Sequence, residues 1–284
     1  MHNQQQEDWD IIIDQGRGLF DLKFKQVWEY RDLLWLFVRR DFVSFYKQTI
    51  LGPIWFFVQP IFTTVIYVFL FRNLAKLSTD GLPGPLFYVV GITVWSYFSE
   101  TLLKISGVLR ENAGIFGKVY FPRLIMPLSI VFSSLFKFGV QLLLLVMIMI
   151  YFTFNGGGFH VPWQVIFFPL LVIMVALQSL GLGMIVAALA TKYRDLAMLL
   201  GFGLQLLMYA TPVVYPLSSM SGTLKMVIAS NPMTAVVESM RFCLLGKGTV
   251  ELPVLVYSIL ITIILFVSGI IVYNKAEKSF VDTV

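Results

Sequence analysis

Three charged side chains lie inside long, otherwise apolar stretches, and they are the residues of this chain best able to do chemistry. Glu100 and Lys104 are four residues apart, which places them one turn apart on one face of a helix. Lys137 lies in the next apolar stretch, within reach of Glu100 if the two stretches are neighbouring helices. Glu100 and Lys137 could form an ion pair. The alternative is that Lys104 and Lys137 extend to the lipid headgroups.

Other reactive groups do not form a catalytic or metal-binding set. The chain has two histidines, His2 and His160, and a single cysteine, Cys243, which excludes a disulfide framework and a multi-thiolate metal site. The GKGT run at 246–249 lacks the spacing of a GxxxxGKS/T phosphate loop. A proton relay is not expected either, because one carboxylate gives no chain of titrating groups. We therefore assign no catalytic residue, metal ligand or cofactor to this chain.

The composition is typical of a membrane protein. Of 284 residues, 58% are hydrophobic and only 13% are charged, and the mean hydropathy is +0.81, whereas soluble domains carry about 25% charged residues. This balance excludes a secreted enzyme, a disordered tail and a nucleic-acid-binding module. The net charge of +5 must therefore be read by its position along a membrane. We predict an all-α integral membrane protein.

Six apolar stretches are long enough to cross a bilayer. The predicted spans are at about residues 52–71, 86–106, 127–153, 163–190, 196–211 and 252–273. Polar and apolar residues do not alternate in these runs, which favours helices over barrel strands. The spans form one transmembrane domain, residues 30–274, between an amino-terminal tail of residues 1–29 and a carboxy-terminal tail of residues 275–284.

The positive charges predict the orientation of these spans. With the amino terminus in the cytoplasm, 14 of the 21 Lys and Arg residues fall in inner segments and 5 in outer segments. An excess of basic residues on the inner side is what the positive-inside rule requires. Both termini are therefore expected in the cytoplasm, and the acidic start of the chain, with no early apolar core, argues against a cleavable signal peptide.

Two inner segments are not simple spans. Residues 30–50 place Leu34, Val38 and Phe42 at helical spacing with basic residues elsewhere around the helix, which predicts an amphipathic helix in the inner membrane interface. Residues 107–126 form the longest inner connection and are expected to hold a short helix broken at its ends.

The longest outer connection is residues 212–250. Its length and polarity fit a pair of re-entrant helices in the outer leaflet, with the second beginning at Asn231. Glu238 and Arg241 lie three residues apart on that second helix. They could line an exit or simply be solvated, and solvation is the favoured interpretation.

Aromatic residues occur within the spans as well as at their ends. Flat rings can stack on the C–H faces of sugars and give a low-specificity track for a glycan, although most such rings pack between helices or face lipid. The channel candidates are Phe57, Tyr67, Trp95, Tyr97, Phe98, Phe202 and Tyr209.

Five segments together resemble one family. They are YKQTILGPIWFFVQP at 46–60, RENAGIFGKVYFPRLIMPLS at 110–129, YRDL at 193–196, TPVVYP at 211–216 and NPMTAVVESMRFCLLG at 231–246. In this order, on a six-span plan, they are similar to permease subunits of ABC exporters that move O-antigen, capsular polysaccharide or teichoic acid. The resemblance covers about residues 25–275.

The resemblance implies partners and location. It implies a homodimer in the bacterial cytoplasmic (inner) membrane that binds two copies of a separate ATPase, which carries the ATP and Mg²⁺, and a lipid-linked glycan as substrate. The chain itself is then a transporter subunit and not an enzyme, with no nucleic-acid partner.

The resemblance also implies roles for particular residues. The ATPase-coupling residues would be Arg110, Glu111, Asn112, Ile115, Phe116 and Lys118, and the inner gate would be Phe121, Pro122 and Arg123. The interface helix would carry Arg39, Arg40, Asp41 and Lys47. The outer gate would comprise Pro212, Tyr215, Pro216, Asn231, Pro232, Glu238 and Arg241.

Two alternatives stay open at this point. An ABC exporter of drugs or other amphiphiles would share the broad fold. An ion-coupled transporter or an intramembrane acyltransferase would need no ATPase, and would depend on Glu100 or on His160, respectively.

Overall fold

Every long regular element is a helix in the computed structural model, which describes residues 24–47, 52–116, 121–157, 162–193 and 195–281. In chain order the helices are α1 (Phe24–Glu29), α2 (Arg31–Lys47), α3 (Trp55–Tyr67), α4 (Gly84–Glu111), α5 (Ala113–Phe116), α6 (Ile125–Phe152), α7 (Phe168–Ala190), α8 (Leu196–Tyr209), α9 (Gly222–Ala229), α10 (Pro232–Leu245) and α11 (Leu252–Val281). The all-α prediction is confirmed for the described part of the chain.

Five helical segments are long and apolar enough to cross a membrane, which confirms an integral membrane protein. They are Trp55–Leu74, Gly84–Glu111, Ile125–Asn155, Trp163–Ala190 and Leu252–Ala276. The first continues α3 by a π-helical stretch, Val68–Leu74. A helix satisfies all its backbone hydrogen bonds internally, as hydrocarbon requires.

The fifth predicted span is a shorter helix than expected. α8 has 14 residues, so it is about 21 Å long at 1.5 Å per residue, less than the roughly 30 Å of hydrocarbon in a bilayer. It ends at Tyr209 because Pro212 has no N–H to continue the helical hydrogen bonds and disfavours a helical conformation before it. The helix therefore stops near Thr211, as predicted, and the six-span topology stays a prediction.

α4 is the central helix of the bundle and packs against α3, α6, α7, α8 and α10. It runs unbroken to Glu111, five residues beyond the predicted end of the second span. Ile105, Val108 and Leu109 are buried, and this packing keeps the extra turn helical. The predicted inner connection 107–126 thus begins inside α4, contains α5 as its short helix, and ends where α6 begins at Ile125.

Small residues allow α7 to pack closely against α4 and α11. A Cβ added at Gly181 would lie 2.5 Å from the Leu265 carbonyl oxygen of α11. A Cβ at Gly183 would lie 2.8 Å from Ile105 Cβ of α4. Glycine at these positions therefore lets three helices approach to backbone contact.

The predicted interface helix is α2, and it lies against α6. Leu34, Phe37 and Val38 are buried, and the Trp35 and Phe132 rings are 6.5 Å apart. Of the predicted apolar positions, Leu34 and Val38 are buried and Phe42 is partly buried, while the location of α2 in the membrane interface stays a prediction.

Two helices, α9 and α10, lie in the segment predicted to hold a re-entrant pair, and their placement in the outer leaflet stays a prediction. Asn231 caps α10, since its side chain accepts a hydrogen bond from the Met233 N–H at 3.0 Å. The helix ends at Gly246, whose φ of 68° is in the left-handed region that favours glycine. α10 packs on α4, α7 and α11.

Candidate functional site

Glu100 of α4 and Lys137 of α6 form the ion pair predicted as one alternative. Lys137 Nζ donates to the two Glu100 carboxylate oxygens at 2.5 and 2.7 Å. The Lys137 side chain is only 18% exposed and the Glu100 side chain 31%. The centroid of the Phe56 ring lies 6.0 Å from Lys137 Nζ. The alternative, in which Lys137 extends to the headgroups, is therefore wrong, whereas Lys104 is exposed and takes no part in this pair.

Polar side chains continue from this pair along α6 at one-turn spacing. One turn before Lys137, the Ser133 hydroxyl donates to Asp41 Oδ2 of α2 at 3.4 Å. Asp41 is in turn paired with Arg40 at 2.9 Å. One turn after Lys137, Gln141 is buried. α6 therefore carries a polar stripe through an otherwise apolar helix.

Gln141 opens onto a polar cavity of about 130 Å³ between α3, α4, α6 and α8. Its polar lining is Gln59, Thr63, Ser96 and Gln141, and the Tyr67 and Trp95 rings also line it. We call the set Asp41, Ser133, Lys137, Glu100, Gln141, Ser96, Gln59 and Thr63 the polar lane. Amides and hydroxyls both donate and accept hydrogen bonds, so the lane has the chemistry to bind hydroxyl-rich molecules.

The predicted channel aromatics fall into two groups. Trp95, Tyr97 and Phe98 are buried in the core of the chain, and Tyr97 packs on Phe138 with ring centroids 5.1 Å apart. Tyr67 and Phe57 are half-buried, while Phe202 and Tyr209 on α8 are exposed. Of the seven candidates, Tyr67 and Trp95 line the polar cavity.

Removing one partner of the Glu100–Lys137 pair is expected to destabilise the bundle. Glu100→Gln would leave the Lys137 ammonium partly buried without its counter-charge, at a cost of about 1–2 kcal/mol. Thermal unfolding of the purified protein measures this loss. The double change Glu100→Gln with Lys137→Met should recover much of it, and a Glu100→Gln variant as stable as the parent would show that the pair contributes nothing.

Glu238 and Arg241 lie in a buried cluster, so the prediction that they are solvated is wrong. Each side chain is 1% exposed, and Arg241 Nη1 lies 3.0 Å from Glu238 Oε1. Arg241 Nη2 also donates to the Val213 carbonyl oxygen at 2.8 Å. Arg241 Cζ stacks 3.8 Å above the Phe87 ring of α4. Burial lowers the pKa of Arg241 to about 10 and Glu238 opposes this lowering, so the guanidinium stays charged at neutral pH.

Glu238 also accepts hydrogen bonds from the backbone of two other segments, at Leu217 and at Thr249. Its Oε1 accepts a hydrogen bond from the Leu217 N–H at 3.1 Å, and its Oε2 accepts one from the Thr249 N–H at 2.9 Å. We call Glu238, Arg241 and these contacts the outer ion cluster. It joins α10, the 211–217 segment and α4 into one unit, with Gly91 of α4 allowing the approach: a Cβ there would lie 2.9 Å from the Val213 oxygen.

The other predicted outer-gate residues surround this cluster. Pro212 and Pro216 are buried, and the Tyr215 hydroxyl donates to the Tyr209 carbonyl oxygen at 2.9 Å. The Asn231 amide donates to Thr211 Oγ1 at 2.8 Å, and Pro232 occupies the first turn of α10. The structure thus places Tyr215 and Asn231 at the carboxy-terminal end of α8, while Glu238 and Arg241 lie further along α10.

The predicted coupling residues begin with the last two residues of α4 and continue beyond its carboxy-terminal end. Arg110 and Glu111 are exposed, and the Asn112 amide donates to the Val108 carbonyl oxygen at 3.0 Å. Ile115 and Phe116 belong to α5, their side chains lie outside the described part of the structure, and so does Lys118. Of the interface-helix residues, Arg39 and Lys47 are exposed.

The inner-gate residues lie just before α6. Phe121 and Pro122 are buried, and Arg123 is partly buried. The Phe121 ring contacts Phe37 of α2, with centroids 5.8 Å apart. The proposed inner gate is therefore attached to the interface helix.

The polar residues that line the cavity are not among the site residues predicted from the sequence. Gln59 and Thr63 are four residues apart in α3, as are Ser96 and Glu100 in α4 and Lys137 and Gln141 in α6. Residues at this spacing lie on one face of a helix. The spacing was therefore the feature of the sequence that could have indicated a polar face on each of the three helices. Within the described residues, no three His, Cys, Asp or Glu side chains meet at a point that could hold a metal ion.

Comparison with known proteins gives one family. The ABC-2 type transporter family matches residues 32–245. The O-antigen export system permease protein RfbA of Myxococcus xanthus is 27% identical over 263 residues, which cover 92% of this chain and 98% of that protein. The O-antigen export system permease protein RfbA of Klebsiella pneumoniae is 26% identical, and the matched residues cover 88% of this chain and 94% of that protein. The polysialic acid transport protein KpsM of Escherichia coli is 22% identical, with 87% and 94% covered.

The family match includes most of the elements described above. It begins in α2, includes the polar lane, and ends at the last residue of α10. The resemblance seen in the five sequence segments is thereby confirmed at the level of the family. This chain belongs to the ABC-2 type transporter family of membrane proteins.

Proposed function

We propose that this chain is the permease subunit of an ATP-driven exporter that moves a lipid-linked polysaccharide across the bacterial cytoplasmic membrane. The observation that carries the proposal is the near full-length similarity to permeases named for O-antigen export, one of which is covered over 98% of its length. Named polysaccharide exporters favour this substrate over drugs and other amphiphiles. Membership of the ABC-2 family implies a separate ATP-binding subunit, which favours the proposal over a transporter or acyltransferase that needs no ATPase.

The polar lane and its rings supply a surface suited to a glycan. Sugar hydroxyls can exchange hydrogen bonds with Gln59 and Gln141, while the Tyr67 and Trp95 rings offer flat apolar faces. At about 130 Å³, the cavity is part of a channel wall rather than a channel. A homodimer would place a second wall opposite it.

The proposed topology has six spans, with α8 as the short fifth span and both termini in the cytoplasm. The inner excess of Lys and Arg supports this orientation. Two ATPase subunits, carrying ATP and Mg²⁺, would bind at the inner end of α4 and at α5. The outer ion cluster and α9–α10 would form the outer gate.

If the glycan passes along this cavity, removing the cavity's amide groups should reduce transport. Gln59→Leu combined with Gln141→Leu removes two amides and keeps side chains of similar size. Because two hydrogen bonds of about 1 kcal/mol each are lost, the number of polymers moved per ATP hydrolysed should fall roughly thirtyfold. The measurement is the ratio of transport to ATP hydrolysis in vesicles. Gln26→Leu, the same change in α1, is the control, and an unchanged ratio in the double variant would place the glycan elsewhere.

Deleting the gene tests the proposed function in the cell. Surface polysaccharide should disappear while lipid-linked polymer accumulates on the cytoplasmic side, and a plasmid copy should restore export. Normal surface polysaccharide in the deletion strain, with no accumulated polymer, would contradict the proposal.

A further inference from the structure

A second cavity lies on the opposite face of α3 from the polar lane. It has a volume of about 400 Å³ and is open on one side, between the end of the first span, the start of α4 and the carboxy-terminal half of α6. Its walls include Val65, Val68, Phe69, Val89, Leu144 and Ile148. We call it the apolar crevice. In the six-span topology it lies at the outer end of the bundle.

The chemistry of the crevice suits a hydrocarbon chain. The lining residue Thr64 donates its hydroxyl to the Pro60 carbonyl oxygen of its own helix at 2.6 Å, so this hydroxyl needs no partner from an occupant. The remaining polar lining residue is Asn73. Since one water molecule occupies about 30 Å³ in the liquid, the crevice has room for roughly a dozen groups of that size, comparable to one acyl chain.

A cationic side chain lies at the end of the crevice. Arg72 directly precedes the lining residue Asn73 in the π-helical stretch. Its side chain packs against Gly84, the neighbour of the lining residue Pro85. A Cβ at Gly84 would lie 2.7 Å from Arg72 Cδ and 2.9 Å from Nη1. Arg72 is exposed and forms no ion pair with any carboxylate of the described residues. Its guanidinium therefore has free donors for a phosphate.

We propose that the apolar crevice is a binding site for one anionic phospholipid, with an acyl chain in the crevice and the lipid phosphate on Arg72. An apolar wall that ends at an unpaired guanidinium complements the two parts of such a lipid. A second copy of this chain is the other occupant that could cover the apolar wall, and the disulfide experiment below distinguishes it. The proposal is independent of what the transporter moves.

Native mass spectrometry of the purified protein tests the site. The protein is exchanged into detergent with equal amounts of phosphatidylglycerol and phosphatidylethanolamine. We expect one phosphatidylglycerol retained per chain. Val65→Trp should fill the crevice and lower this occupancy at least tenfold, and Arg72→Gln should remove the preference for phosphatidylglycerol.

Matched variants separate the site from general lipid binding. Ile263→Trp adds the same ring at an exposed position of α11, and Lys247→Gln removes an exposed cation elsewhere; both should retain the lipid. The proposal is overturned if the Val65→Trp and Ile263→Trp variants retain equal amounts of phosphatidylglycerol. It is also overturned if the parent protein shows no preference between phosphatidylglycerol and phosphatidylethanolamine. It is also overturned if Val65→Cys, in a Cys243→Ala background, forms a disulfide between two chains, because a second copy would then cover the crevice.

Discussion

Replacing Arg241 with methionine is expected to cost about 3–5 kcal/mol of the free energy of unfolding, because Glu238 would remain buried without its counter-charge. Whole domains are stable by only about 5–15 kcal/mol, so most of the variant should fail to accumulate as folded protein. The Val213 carbonyl oxygen would also lose its Arg241 donor. The measurements are the yield of monodisperse protein after extraction and its thermal unfolding.

The outer segment offers a matched control for this change. Lys225 pairs with Glu251 at 2.7 Å, but these side chains are 34% and 46% exposed. Lys225→Met should therefore cost less than about 1 kcal/mol. Adding Glu238→Gln to Arg241→Met should recover part of the stability, since the isolated charge is then removed. If Arg241→Met and Lys225→Met are equally stable, the outer ion cluster does not hold the outer segment together.

Reversing a charge at the carboxy-terminal end of α4, the proposed contact with the ATPase, is expected to weaken binding of the ATPase. Arg110 and Glu111 are exposed at the end of a helix that runs without a break from Gly84, so a force applied there acts on the centre of the bundle. Bringing like charges together at an interface costs several kcal/mol, and about 1.4 kcal/mol is a factor of ten. Arg110→Glu or Glu111→Lys should lower co-purification of the ATPase at least about tenfold.

A control in another helix shows whether this effect is local. Lys275→Glu changes an exposed charge in the carboxy-terminal part of α11, which is not part of the predicted coupling region. Its ATPase content should equal that of the parent, and its transport-coupled ATP hydrolysis should be unchanged. If all three variants retain the ATPase fully, the contact has been assigned to the wrong segment. The predicted coupling side chains also include Phe116 and Lys118, and replacing either of them with alanine makes the same test.

The sequence predicts those features that depend on local patterns. The apolar runs, the cap at Asn231 and the stop before Pro212 are all set within a few residues, and each is found in the structure. The pairing of Glu100 with Lys137 was predictable as an alternative because charges inside spans need partners. The extension of α4 to Glu111 was not, since it depends on packing of Val108 and Leu109 against other helices.

The buried state of Glu238 and Arg241 could not be read from their spacing. Two opposite charges three residues apart are equally suited to an exposed helix face. Their burial depends on Val213, Leu217 and Thr249, which come from segments that the chain brings back from a distance. The polar lane has the same origin, because three separate helices each supply residues that are ordinary on their own.

The most direct test of the account is transport by purified components. The permease is reconstituted in vesicles with its ATPase, ATP, Mg²⁺ and an undecaprenyl-linked polymer, and the polymer on each side of the membrane is measured. The account predicts ATP-dependent movement of the polymer that needs both subunits. Movement of small amphiphilic drugs but not of the polymer, or full polymer transport by the permease alone, would contradict it.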